Sequence, residues 1–103
     1  MEAFKMKTFR LGAVYGAPPI FNPDVDEMGY IEPSDLHLSP HLLTQLEEWN
    51  AEFQQTFFED YPPDSGFKSE DDRNRHNAHG ADLATLLQRE LGAGVRIEFI
   101  PLK

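Results

Sequence analysis

Apolar residues in this chain keep two different rhythms, and the points where the rhythm changes constrain the fold more than any single motif. Near the start, Phe9, Leu11, Ala13 and Tyr15 alternate with Arg10, Gly12 and Val14. A period of two marks a strand with one buried face, so it predicts a strand over residues 4–14. Near the end, Val95, Ile97 and Phe99 alternate with Arg96 and Glu98, predicting a strand over residues 94–100. Between them the period lengthens. Leu42, Leu46, Trp49, Phe53 and Phe57 recur at helical spacing through about residue 58, opposite a wet stripe of Gln45, Glu48, Glu52, Gln55 and Glu59. Leu83, Leu86, Leu87 and Leu91 mark the buried side of a second helix, with His76, His79 or Gly80 above them. A glycine on that line predicts close approach to another element.

Punctuation supports this division. Ser39 suits a helix N-cap, Pro40 the first helical position, and Leu38 with Leu43 a hydrophobic staple. Ser69 suits the second N-cap, with Asp72 at the capping-box position, and Glu70, Asp71 and Asp72 complement the helix dipole. Arg89 and Gly92 suit its end. Pro18-Pro19 ends the first strand, and residues 18–38 read as mostly irregular, with Gly29-Tyr30-Ile31 as a short edge strand. Asp60 to Gly66 reads as a turn-rich linker. The expected fold is one α+β domain over residues 1–103. Two helices pack on one face of a small two- to three-stranded sheet formed by the N- and C-terminal strands. Two strands alone are marginal, so the open edges would recruit residues 29–31 or a second subunit.

Composition bounds the function. The chain has 103 residues, a common size for one domain with a single modest core. It has no cysteine, and Met1 to Lys7 contains no apolar run of signal-peptide length. A cytoplasmic home with no membrane span is the expectation. Net charge is −9, which disfavours direct nucleic-acid binding. That charge is segregated. Residues 20–72 hold fourteen acids and one base, Lys68, a formal −13; the remainder, four acids against eight bases, is +4, and together they give −9. Solubility is one reason for such a field, and a cationic partner is the other.

Other chemistries find little support. Asp24-x-Asp26-x-Met28-Gly29 with Asp35 has calcium-loop spacing, but Met28 offers no hard oxygen and the prolines forbid a preceding helix. His76 and His79 share a helix face, yet no third metal ligand is near, and Arg73 and Arg75 repel a cation. Ser65 lacks the nucleophile-elbow pattern, and no glycine-rich phosphate loop is present. A small hydrolase would need His76 or His79 to meet a carboxylate in a cleft. No catalytic residue, cofactor or metal is assigned.

Acidic loops and the outer side of the first helix remain. Glu48 and Glu52 are like charges one turn apart, a mild repulsion that a cationic surface relieves. The candidate partner-binding residues are Asp24, Asp26, Glu27, Tyr30, Glu48, Glu52, Glu59, Asp60, Tyr61 and Asp64. The expectation is that folding gathers them into one surface, in which aromatics amid carboxylates act as anchors.

Three stretches carry a family resemblance: Leu11-Gly12-Ala13-Val14-Tyr15-Gly16-Ala17; Leu38 to Leu43 running to Glu48-Trp49-Asn50; and Ser65-Gly66-Phe67-Lys68-Ser69 with Glu90-Leu91-Gly92-Ala93-Gly94-Val95. Together they resemble small bacterial immunity proteins of contact-dependent growth-inhibition systems. The resemblance implies a cytosolic, non-enzymatic inhibitor of a cognate protein toxin. Many such toxins are nucleases, which need a basic surface, and an acidic protein can cover that surface. A monomer or weak homodimer is expected. The alternative is a regulatory or scaffolding module for another cationic partner.

Overall fold

A computed structural model describes residues 7–103. The first strand, β1 (Lys7–Gly12), occupies the centre of the early alternation; residues 4–6 of the expected strand lie outside the described residues. After Pro18-Pro19 come β2 (Ile20–Asn22) and β3 (Gly29–Ile31), then a 3-10 turn at Pro33–Leu36. Helix α1 spans Pro40–Gln54 and helix α2 spans Glu70–Leu91, with a 3-10 turn at Pro62–Asp64 between them. The last strand is β4 (Val95–Ile100). No helix among the described residues is long and apolar enough to cross a membrane.

The sheet has four strands in the order β3-β2-β1-β4, not two or three. The terminal strands pair, in parallel, with Lys7 opposite Val95 and Gly12 opposite Ile100. β2 is the strand that the period-two reading missed. Three residues are too few to show alternation, and Pro18-Pro19 stands directly before them. Pro19 does not break the ladder, because only its carbonyl is used, accepting from the Gly12 amide at 2.9 Å. β2 then turns antiparallel to both β1 and β3.

Side chains alternate as the sequence requires. Phe9, Leu11 and Ile20 point inward and meet Leu42, Leu46 and Trp49 of α1 and Leu83 and Leu87 of α2. These eight form the buried cluster. Ser39 caps α1 by accepting from the Leu42 amide, and its own amide and hydroxyl donate to the Glu90 carboxylate at 2.7 and 2.6 Å. That contact staples the start of α1 to the end of α2 and holds Glu90 below its ordinary pKa. Ser69 caps α2 through the Asp72 amide, and Gly92 ends it at φ 78°.

Gly80 is where the helices and sheet come closest. A Cβ built there would lie 2.6 Å from Phe99 Cε1 and 2.7 Å from Trp49 Cζ2. The edge of β4 is guarded from the same helix. Gln88 donates to the Val95 carbonyl at 2.6 Å and accepts from the Ile97 amide at 2.8 Å, so its side-chain amide stands in for a neighbouring strand. Asn77 does the same beyond the strand, with the amide and carbonyl of Leu102.

Candidate functional site

Helix α1 ends at Gln54, four residues before the expected stop near 58. Local chemistry turns the chain out. The Thr56 amide and hydroxyl both bond the Phe53 carbonyl, at 2.9 and 2.6 Å. Phe57 therefore leaves the buried stripe and is 44% exposed. The chain returns ten residues later, where the Gly66 amide donates to the Thr56 carbonyl at 3.1 Å. Gly66 does so at φ 124°, which favours glycine. Between these points, the Ser65 hydroxyl accepts from the Phe58 amide at 2.8 Å, and the Asp64 and Ser65 amides close onto Tyr61 and Pro62. The result is a compact surface loop with its ends pinned together.

Two aromatic contacts seat this loop on the domain. On one side Tyr15, just past β1, stacks on Phe53 at 4.2 Å, meets Phe57 edge-on at 5.3 Å, and shares a hydrogen bond of 2.5 Å with Thr56. On the other, Phe67 packs on the His76 ring at 4.9 Å. His76 lies flat against Trp49, 4.5 Å away at 7°, and its side chain has no solvent exposure. Neither ring nitrogen has a hydrogen-bond partner. Glu52 approaches Nδ1 at 3.7 Å, too far for a hydrogen bond. Burial holds the imidazole below its ordinary pKa, with His79 adding to that shift and Glu52 opposing it. A histidine does meet a carboxylate here, but the ring is sealed beneath aromatics instead of opening on a cleft. Among the described residues, no group of three or more histidine or carboxylate side chains converges as metal ligands would.

The structure places four of the ten sequence-predicted residues on this loop and two on the helix that leads into it. Glu59, Asp60, Tyr61 and Asp64 are exposed on the loop itself. Glu52 joins them through His76 and Phe67, and Glu48 lies one helical turn further along α1. Asp72 extends the group, lining a groove of about 300 Å³ beside Phe57, Phe58 and Phe67. Nearby charges are partly matched: Arg73 faces Glu70 at 3.7 Å, Arg75 faces Asp72 at 3.5 Å, and Lys68 sits 5.7 Å above the Phe58 ring.

The other four lie elsewhere. Asp24, Asp26 and Glu27 form the β2–β3 turn, where the Asp24 side chain accepts from the Asp26 amide at 3.0 Å and Glu27 pairs with Lys7 at 3.6 Å. That turn stands beside the start of β1, whereas the interhelical loop stands beyond its end. Roughly 16 Å of strand separates them at about 3.3 Å per residue. Tyr30 points from the sheet face opposite the helices, in a cross-strand row with Phe21, Arg10 and Glu98. That row borders a groove of about 530 Å³ with Val14, Ile100 and Leu102.

Sequence reasoning missed Phe57 and Phe58 as surface residues, since 57 fitted the buried stripe. The signal was their adjacency. Consecutive helical residues point about 100° apart, so at most one of the two can lie on the centre line of the stripe and the other falls at its margin.

A four-stranded sheet roofed by two helices, with an aromatic and acidic loop held out at one end, defines a small α+β domain whose distinctive surface suits protein recognition. Its family is specific. The model of the Serratia CdiI immunity protein-like family matches residues 7–102, and the chain belongs to that family. No curated protein matches it at a significant level.

Proposed function

We propose that this protein is the immunity member of a contact-dependent growth-inhibition pair, and that it neutralises a cognate toxin domain in the cytoplasm by direct binding. The toxin presents a basic surface, as a nuclease does to hold phosphate. The observation that carries this reading is the segregated charge: −13 over residues 20–72 in a chain of −9. Fourteen carboxylates within 53 residues repel one another in the free protein, and a cationic surface both relieves that repulsion and is steered toward it. Family membership supports the immunity role. The ten residues named above are the proposed contact or steering groups. Inhibition needs no cofactor and no reacting group, only coverage of the toxin's surface.

The test is co-expression with the toxin domain encoded beside this chain. Cells producing the toxin alone should stop growing, and cells producing both should grow. The purified pair should bind in 50 mM salt and bind about tenfold or more weakly in 200 mM, because salt screens the attraction between the two charged surfaces. A toxin that kills regardless, with no complex on mixing, refutes the proposal.

A further inference from the structure

Two acidic regions stand at opposite ends of β1, and their side chains differ. The β2–β3 turn offers carboxylates with one exposed aliphatic and one methionine, Val25 and Met28. The interhelical loop adds three aromatics within five residues, Phe57, Phe58 and Tyr61, exposed by 44, 41 and 55%. Rings of this size left in water on a well-ordered loop are unusual, because each could bury over 100 Å² of apolar surface.

We infer that the loop spanning residues 57–65 is the docking element for a cationic protein surface, with Phe58 and Tyr61 as its anchors, and that the β2–β3 turn only steers. This rests on the immunity reading and names the contact within it. Three observations support it. Charge is complementary, since Glu59, Asp60 and Asp64 are exposed on the same loop as the rings and Asp72 lines a groove with Phe57 and Phe58. An aromatic set among carboxylates fits a basic surface with apolar clefts, or arginine and lysine stems lying on ring faces; the loop already shows this contact internally, with Lys68 over Phe58. The loop is also ordered before any partner arrives. Thr56, Ser65 and Gly66 close it, and Tyr15 and Phe67 seat it, so binding loses little further entropy. The sheet groove beside Tyr30 is the competing surface. Its lining carries one charge of each sign, Arg10 and Glu98, paired at 3.5 Å, a balance that offers a cationic partner no attraction.

Hot-spot anchors act on dissociation, and distant charges act on association. Surface plasmon resonance with the adjacent-gene toxin domain, in a catalytically inactive form, separates the two. Phe58→Ala and Tyr61→Ala should each speed dissociation about tenfold or more, with melting temperature little changed because neither ring belongs to the buried cluster. Asp24→Asn, Asp26→Asn and Glu27→Gln together should slow association severalfold and leave dissociation unchanged. Wild-type binding with both loop variants within twofold of it overturns the inference and leaves the immunity reading intact. Loss of binding in Tyr30→Ala and Ile100→Ser instead overturns it in favour of the sheet groove. No binding by the wild type removes the immunity reading and this inference with it.

Discussion

Replacing Gly80 by alanine is the sharpest test of the packing. At an open helical site the change would stabilise the fold by about 1 kcal/mol, because alanine loses less backbone freedom. At Gly80 the new methyl would meet Phe99 Cε1 at 2.6 Å, Trp49 Cζ2 at 2.7 Å and Phe99 Cζ at 2.8 Å. Ordinary carbon contacts begin near 3.5 Å, so something must move by close to an ångström. Trp49 is poorly placed to yield. Its ring is fully buried and stacked on His76, and its indole N–H donates to the His76 carbonyl at 3.0 Å. Phe99 is half-buried on the strand and must give instead, straining its own packing. Overpacking of this kind costs about 1–3 kcal/mol, and two rigid rings put it at the upper end. After the propensity gain, a net loss of about 2 kcal/mol is expected.

Urea denaturation reads this directly, as a lower midpoint at unchanged slope. A melting scan should fall by at least about 8 °C, at roughly 4 °C per kcal/mol for a domain of this size. The cause can be isolated with Phe99→Leu, which removes the ring the methyl strikes. In a double-mutant cycle the two changes should couple by about 1 kcal/mol in the favourable direction. Gly80→Ala that is as stable as wild type, or more so, would show that the helix and sheet are further apart than described.

Two further perturbations probe other parts of the fold. Gln88→Ala removes the amide that covers the Val95 carbonyl and the Ile97 N–H; we expect a loss of about 1–2 kcal/mol and concentration-dependent self-association in light scattering, whereas a monomer of unchanged stability would deny the edge-guarding role. His76 has a lowered folded pKa, so the unfolded chain takes up its proton first: stability is fully present above about pH 6.5 and falls as pH drops through 6.5 toward the folded value, and His76→Phe should flatten that decline between pH 7 and 5.5, with an identical slope in both proteins counting against it.

Much of the fold was legible because it is written in local signals that agree with one another. Ser39, Ser69 and Gly92 cap where their chemistry says they should, and Gly80 marks a true close approach. Periodicity failed where elements are short or where a hydrogen bond outweighs it. β2 has three residues and no room to alternate. Phe57 fits a helical stripe on paper, but the Thr56 hydroxyl ends the helix before the stripe reaches it. Of the candidate site, the identity of the acidic residues could be read and their arrangement could not. Whether Asp24 and Asp60 share a surface depends on which way each connection runs along the sheet, and charge carries no information on that.

The way the loop is held suggests how recognition and folding are kept apart in this molecule. Each pin lies at the loop's margin: Thr56 on the Phe53 carbonyl, Gly66 on the Thr56 carbonyl, Phe67 on the buried His76. Those pins use backbone groups, the Thr56 hydroxyl and one inward ring, and they trace back to the end of α1 and the start of α2. Residues 57–64 contribute no side chain to the buried cluster. Their composition is therefore nearly independent of core packing, and exposed substitutions there change stability by only about 0.5 kcal/mol. A binding surface built this way can exchange aromatic and acidic residues to suit one partner and reject another while the sheet and helices stay fixed. On the docking proposal, specificity lies in the exposed side chains of residues 58–64, supported by a scaffold that gains little from their identity, the arrangement expected where discrimination between similar partners must change without loss of the fold.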